Sequence, residues 1–323
     1  MDKLRIAFSG IGAVGGYYGG LLTARYQGTE KADLFFIARG ENLQAIRADG
    51  LRVKTGIRTL HAVPALATDQ PAEIGAPVDY LFCCTKSYDL EENIAQLTPI
   101  IGPETVLIPL QNGLDAADRI RKLLPGQKVW KGCTYIGARL KHPGFVEKFT
   151  GKERIFFGSD SPVQGEEKER QTRLLKLLTY ARLNAFNPAD IDTRIWKKFF
   201  MISTAATLTS FFNQTIHEAL DQHKDMFIVL GAELKSVAEA EGVHLPDDIV
   251  FSSLEAQQGM PPGATTSMHD DFRKGRKTEL ETLTGYVIRK ADERGIDVPT
   301  YRFMYNGLTQ IPYPIEESRS AIR

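Results

Sequence analysis

The chain has 323 residues, enough for two domains that bury large apolar cores. Its 42% hydrophobic and 25% charged residues are those of an ordinary soluble globular protein, and lysine plus arginine match aspartate plus glutamate at 40 each. That balance gives no global reason to expect nucleic acid or an anionic membrane as partner, and no apolar run approaches the ~20 residues that cross a bilayer. Three cysteines, Cys83, Cys84 and Cys133, lie in apolar strand-like runs with no metal-ligand spacing near them. They read as buried reduced thiols of a reducing cytosol, and no metal site is expected. Met1 to Arg5 leads straight into a strand-like run without the features of a secretory signal. A cytoplasmic location is the expectation.

In chain order, Leu4 to Ser9 reads as a buried strand, and the glycines after it open a helix through Tyr17, Leu21 and Leu22. Asp33 to Ala38 is a second strand. Val78 to Thr85, Thr105 to Pro109 and Lys128 to Ile136 follow as later strands, with helical patterns between them. Strands alternating with helices predict a doubly wound parallel sheet with helices on both faces. Gly144 to Phe149 and Arg154 to Gly158 are expected as a mixed or antiparallel edge of that sheet. From Asp192 onward the pattern is helical. The predicted organisation is a Rossmann-type α/β domain over residues 1–190, followed by an all-helical domain over residues 191–323.

Gly10-Ile11-Gly12-Ala13-Val14-Gly15 reads G-x-G-x-x-G, directly after a strand and directly before a helix. In that context the first glycine permits a tight turn and the second lets backbone approach a pyrophosphate. The third allows close helix–strand packing, and the helix N-terminus offers unpaired N–H groups to phosphates. The end of the second strand then discriminates between dinucleotides. A carboxylate there accepts hydrogen bonds from a ribose 2′-hydroxyl; this chain carries Arg39, which suits a 2′-phosphate through charge-assisted contacts. NADP is therefore expected over NAD.

Two polar motifs follow later strands. Thr85-Lys86-Ser87 comes after Tyr80 to Cys84, and Gln111-Asn112-Gly113 after Val106 to Leu110. Both are placed to meet the nicotinamide half of a dinucleotide, because ligands of open α/β sheets sit beyond the carboxyl ends of strands. Further on, Lys197 and Lys198 lie in an otherwise apolar helical stretch, and one of them is expected to point inward; periodicity does not choose between them. A desolvated lysine has a lowered pKa, closer to the range useful for proton transfer. Ser267-Met268-His269-Asp270 has the form of a capping box with Ser267 as N-cap. Ser267, Asp271, Gly275 and Glu279 recur every four residues, which on a continuous helix traces one face. That face serves equally as the wall of a polar ligand site or as a solvated surface.

Taken together these residues resemble the ketopantoate reductase (2-dehydropantoate 2-reductase) family over nearly the whole chain. The resemblance rests on the glycine fingerprint, Arg39, Thr85-Lys86, Gln111-Asn112-Gly113, Trp196-Lys197-Lys198, Thr266-Ser267-Met268, Asp271 and Gly275 to Glu279. It implies NADPH-dependent reduction of 2-dehydropantoate to pantoate, a step toward pantothenate and coenzyme A. Lys198 would be the general acid and Glu279 would sit by the substrate and the nicotinamide ribose. Ser267, Lys198 and Asn112 would hold substrate, while Lys86, Asn112 and Ala138 would contact the cofactor. The implied partners are a small 2-oxo acid and the dinucleotide, with neither nucleic acid nor membrane. A homodimer stands as the default assembly, since dimers are common among enzymes of this kind.

One departure from the pattern concerns the substrate. The family usually carries asparagines four and eight residues after its lysine, and here those positions are Ile202 and Ala206. Neither side chain donates a hydrogen bond; Ser203 and Thr204 are the nearest polar substitutes. A site whose donors become apolar loses discrimination for a polar substrate. The rival readings are thus a paralogue acting on another small 2-oxo acid and a non-catalytic NADP-binding sensor. Lys198 and Glu279 together speak against the sensor, which has no need of an acid.

Overall fold

The computed structural model describes residues 3–311. It divides into two compact units, Met1–Ile195 and Trp196–Arg323. In the first unit the strands are β1 (Leu4–Ser9), β2 (Ala32–Ile37), β3 (Leu51–Thr55), β4 (Arg58–Ala62), β5 (Leu66–Thr68), β6 (Tyr80–Cys83) and β7 (Val106–Pro109). They continue as β8 (Lys128–Val129), β9 (Lys131–Tyr135), β10 (Ala138–His142), β11 (Phe145–Lys148), β12 (Arg154–Gly158) and β13 (Ala185–Phe186). Its helices are α1 (Ala13–Tyr26), α2 (Gly40–Asp49), α3 (Leu90–Leu97), α4 (Ala116–Leu123) and α5 (Gly165–Tyr180).

Six strands form an all-parallel sheet in the order β5-β2-β1-β6-β7-β8. Counted by appearance within the sheet this is 3-2-1-4-5-6, the order of the Rossmann fold. Period-two alternation separates its two faces. Ile6, Phe8, Phe36 and Phe82 enter the core on one side, with the rings of Phe8 and Phe82 stacked at 4.5 Å. Ala7, Leu81 and Leu107 enter the other, against Leu90, Ile94 and Leu97 of α3.

The remaining strands do not extend this sheet. The segment expected as one strand from Lys128 to Ile136 breaks at Trp130. That indole is buried, lies 5.8 Å from the ring of Phe157, and donates to Glu167 at 2.5 Å. β8 stays with the parallel sheet, whereas β9 pairs antiparallel with β12 in a separate three-stranded sheet. Likewise β11 is no edge of the parallel sheet. It runs parallel to β3 in a third sheet, ordered β10-β11-β3-β4. The β3–β4 hairpin that supplies this partner is a short alternating pair whose pairing is non-local, and periodicity did not reveal it.

Helix α1 lies between the parallel sheet and this third sheet, and its glycines make that fit. A Cβ on Gly19 would sit 3.1 Å from the rings of Phe8 and Phe36, on the parallel-sheet side. On the other side a Cβ on Gly16 would come within 2.7 Å of Val146 Cγ2, and one on Gly20 within 2.3 Å of Val53 Cγ2.

The second unit is all-helical among its described residues. Helices α6 (Ile191–Phe212), α7 (Ile216–Ala240), α8 (Ile249–Gln258), α9 (Ser267–Arg273), α10 (Tyr286–Arg294) and α11 (Pro299–Thr309) carry it, with the division between units falling inside α6. A capping box of Thr215 and Glu218 starts α7, and a single π-helical turn, Glu281–Gly285, precedes α10.

An alanine in a helix interior normally gains about 1 kcal/mol over glycine, while overpacking a core loses about 1–3 kcal/mol. At Gly20 the second effect is expected to win. Gly20→Ala should lower the thermal unfolding midpoint by a few degrees; an unchanged or higher midpoint would mean that the third sheet retreats from α1 without loss.

Candidate active site

At the carboxyl edge of the parallel sheet, β1 and β6 lie side by side where the strand order reverses. Gly10, leaving β1 with φ +88°, is pressed against the chain leaving β6. A Cβ there would lie 2.6 Å from the amide nitrogen of Thr85 and 2.8 Å from the carbonyl carbon of Cys84. A Cβ on Gly15 would lie 2.2 Å from the carbonyl oxygen of Gly10. These two glycines are therefore required by the chain's own packing. Gly12 is not: no described residue lies within 4 Å of the place its Cβ would take. It caps α1 with no side-chain bond to the first turn, and that turn contains no acid. The open amides and the positive end of the helix thus border a space that only a residue without a side chain leaves clear, which fits a phosphate group.

The loop is held from outside by Asn42, which sequence reasoning had not singled out. Its amide nitrogen donates to the carbonyl of Ile11 at 2.6 Å, and its oxygen accepts from the amide of Gly144 at 2.8 Å. One side chain thereby ties the glycine loop to the β10–β11 turn. An asparagine in the first turn of a helix is common, and only the tertiary contact marks this one.

Arg39 stands at the N-cap position of α2, with its side chain 86% exposed and a nitrogen 3.3 Å from Asp89 Oδ2. So exposed a pair is worth well under about 1 kcal/mol, and an incoming anion readily exchanges for it. Lys86 and Asn112, both half-buried, stand three residues beyond the ends of β6 and β7. Gln111 between them is buried; its side-chain nitrogen lies 3.4 Å from Thr85 Oγ1, and its side-chain oxygen has no hydrogen-bond partner among the described residues. Ala138 lies apart from this edge, opening β10 in the third sheet opposite Lys148. Burial pushes the Cys83 thiol up to about 12 and raises that of Cys84 well above its ordinary value. Both stay protonated near neutral pH and offer no thiolate nucleophile. Among the described residues no three of His, Cys, Asp and Glu could hold a metal ion, and no helix is long and apolar enough to cross a membrane.

In the helical unit, burial separates the two lysines that periodicity could not. Lys198 is 7% exposed, whereas Lys197 is half-buried. One and two turns on, Ile202 is half-buried and Ala206 buried. The polar substitutes considered beside them are committed elsewhere. Ser203 Oγ donates to the carbonyl of Leu283 at 2.9 Å and lies 3.0 Å from the Tyr301 hydroxyl, while Thr204 back-bonds to Phe200. One further turn along the same stripe, Ser210 is buried and its hydroxyl has no partner among the described residues.

Two expectations at the end of the chain are corrected. Ser267 is not the N-cap of α9. Thr266 takes that place, its hydroxyl accepting from the amide of His269 at 3.3 Å and meeting Thr209 Oγ1 at 2.9 Å, and Ser267 is the exposed first helical residue. Nor do Ser267, Asp271, Gly275 and Glu279 share a helical face. Helix α9 stops at Arg273, where Gly275 takes φ +59° and the amide of Arg276 turns back to the carbonyl of Asp271 at 2.8 Å. This is the Schellman arrangement that ends helices. Glu279 follows on a bend and is 4% exposed. His269 lies between Thr265 Oγ1 at 2.5 Å and Asn213 Oδ1 at 2.9 Å. Burial lowers its pKa, so the neutral ring accepts from the threonine and donates to the asparagine.

Residues 6–162 match the family model described as ketopantoate reductase PanE/ApbA, and residues 190–311 match the model of its C-terminal domain. The chain belongs to the ketopantoate reductase family. As a member it is an oxidoreductase, and its solved relatives share the whole architecture. The 2-dehydropantoate 2-reductase of Porphyromonas gingivalis W83 is 41% identical, with a TM-score of 0.84 over 96% of this chain and 100% of its own. A 2-dehydropantoate 2-reductase of Mesorhizobium japonicum is 27% identical over 92% of this chain and 94% of its own. A D-mandelate dehydrogenase solved with NADH and anilino(oxo)acetate is 24% identical, with a TM-score of 0.81 over 95% of this chain and 97% of its own; the likeness there is one of fold.

For this family member, Asn42→Ala removes two bonds at once, and losing them is expected to destabilise the first unit by about 1–2 kcal/mol. Amide hydrogen exchange from Ile11 to Gly16 should accelerate. Unchanged exchange there would show that the glycine loop holds itself.

Proposed function

We propose that this protein reduces 2-dehydropantoate to pantoate with NADPH, a step toward pantothenate and coenzyme A. The observation that carries the reading is the burial of Lys198, the residue at the family's proton-donor position, among the apolar side chains of Trp196, Phe199 and Phe200 on α6. Gly10 to Gly15 hold the pyrophosphate, with the space over Gly12 left for it. Arg39 meets the 2′-phosphate, Lys86 and Asn112 hold the nicotinamide half, and the backbone of Ala138 contacts the cofactor. When bound, the reduced dinucleotide supplies a hydride to C2 of the substrate.

The protein's own part is binding and proton transfer. As negative charge builds on the substrate's C2 oxygen, the ammonium of Lys198 stabilises it and then gives up a proton from Nζ. Asn112 and Ser267 hydrogen-bond the substrate. Glu279 accepts hydrogen bonds from substrate and ribose hydroxyls and so fixes the two reactants against each other.

A second reading keeps the reaction and changes the substrate. Ile202 and Ala206 offer no donor, and Ser203 and Thr204 are engaged with Leu283, Tyr301 and Phe200. These side chains favour a 2-oxo acid with a more apolar tail.

Following NADPH oxidation separates these readings. Lys198→Ala should lower kcat by roughly 10²- to 10⁴-fold, the usual worth of a positioned acid, with little change in dinucleotide affinity. Arg39→Ala should raise the KM for NADPH and leave that for NADH nearly unchanged; equal effects on both would remove the 2′-phosphate role. Across a panel of 2-oxo acids, turnover of 2-dehydropantoate above all others supports the first substrate. Preference for a straight or branched apolar tail supports the second, and Ile202→Asn should then shift selectivity back toward 2-dehydropantoate.

A further inference from the structure

A second, separate concavity lies in the first unit, at the far end of α1 from the glycine loop. It encloses about 760 Å³ among the C-terminal half of α1, the β3–β4 hairpin, the turn after β11 and the end of α5. Small-molecule sites commonly occupy about 300–1,000 Å³. Arg25 stands twelve residues beyond Ala13, which puts it roughly 18 Å along the helix axis from the phosphate-binding end.

The lining is strongly one-sided in charge. Among the described residues, Arg25, Arg58, Lys148, Lys152 and Arg182 line it, with Glu153 as the one carboxylate. Glu153 is already satisfied, by Lys148 at 2.8 Å and Asn184 at 3.3 Å. Among the described residues no carboxylate pairs with Arg25, Arg58, Lys152 or Arg182. Two of these cations have an ordinary explanation, since Arg25 lies in the last turn of α1 and Arg182 just beyond α5, where cations complement helix C-termini. The magnitudes do not let it suffice. Each helix end counts as about half a negative charge, so roughly three positive charges remain over the groove.

Backbone geometry adds an independent sign. Arg182 holds the position after the α5 cap with φ +62°. Its amide bonds the carbonyl of Thr179 at 2.9 Å, and that of Leu183 bonds Leu178 at 3.1 Å. This is the helix-ending motif in which glycine is the favoured residue. An arginine stands there instead, and it lines the groove. Beneath the cations the floor is apolar, formed by Leu21, Ala24, Leu60 and Ala181, and the ring of Tyr180 stands beside it 65% exposed.

We propose that this groove binds a phosphorylated small molecule with a planar or apolar body, of nucleotide size, at a site distinct from the dinucleotide crevice. The phosphates sit among Arg58, Lys152 and Arg182, and the body lies on the apolar floor against Tyr180.

The test is calorimetric titration of the full-length protein with ATP and, separately, with inorganic tripolyphosphate, without divalent cations. Three proteins are compared: wild type, Gly12→Val, whose new side chain fills the crevice, and the double variant Arg58→Ala/Arg182→Gly. Wild type and Gly12→Val should bind ATP equally. The double variant should lose at least ten-fold in affinity while its thermal midpoint stays the same or rises, because glycine suits the backbone at 182. Tripolyphosphate should bind at least five-fold more weakly than ATP. No ATP binding by wild type, undiminished binding by the double variant, or loss of binding in Gly12→Val would each overturn the proposal. Equal affinity for the two probes would overturn the planar or apolar body.

Discussion

The close approach of two sheets to one helix is the constraint on which the first unit depends. Helix α1 has Phe8 and Phe36 against Gly19, and Val146 and Val53 against Gly16 and Gly20. Side chains at those positions would push the sheets apart, and the N-terminus of α1 would move with them. The same helix begins at Gly12 and therefore sets where its open amides lie relative to Gly10, Thr85 and the reversal of strand order. The proposed phosphate site and the core packing are thus two ends of a single element. Glycine is unfavourable inside a helix by about 1 kcal/mol per residue, and α1 tolerates four such residues because burial on both faces outweighs the loss.

The chemistry proposed for this family member divides between open and buried groups. Arg39, exposed and weakly paired, suits an incoming phosphate whose own charge supplies the attraction. Lys198 and Glu279 are buried, where an ionic contact is stronger and an unpaired charge is costly. The two buried residues therefore suit the proposed proton transfer and orientation, and the exposed arginine suits the proposed recognition. Along α6 the polar stripe that begins at Lys198 turns apolar at Ile202 and Ala206 and becomes polar again at Ser210. That succession is the physical ground for keeping a more apolar substrate in view.

The parallel sheet and the dinucleotide fingerprint were legible because both are local. Buried strands show as short apolar runs, and G-x-G-x-x-G needs only its flanking strand and helix. The limits of β1 and β12 agree with the segments expected for them. Reading failed where pairing was non-local or where two neighbours were chemically alike. Trp130 ended a strand through contacts with Phe157 and Glu167, and the β3–β4 hairpin drew β11 into a sheet of its own. Thr266 and Ser267 both carry hydroxyls suited to a cap, and Thr209 of α6 holds the first of them. The four-residue series through Glu279 assumed a helix that Gly275 ends.

By itself, then, the sequence determined the class of the fold, the glycine loop proposed to bind phosphate, the arginine after β2 and the family. Each of these is written in the spacing of residues along a few turns or strands. Tertiary structure alone decided that Lys198 rather than Lys197 is buried, and that Ser203 and Thr204 are engaged. It also decided that Asn42 anchors the glycine loop and that five cations converge on a groove far from it. Burial and partnership depend on atoms tens or hundreds of residues away, and no local pattern carries that information.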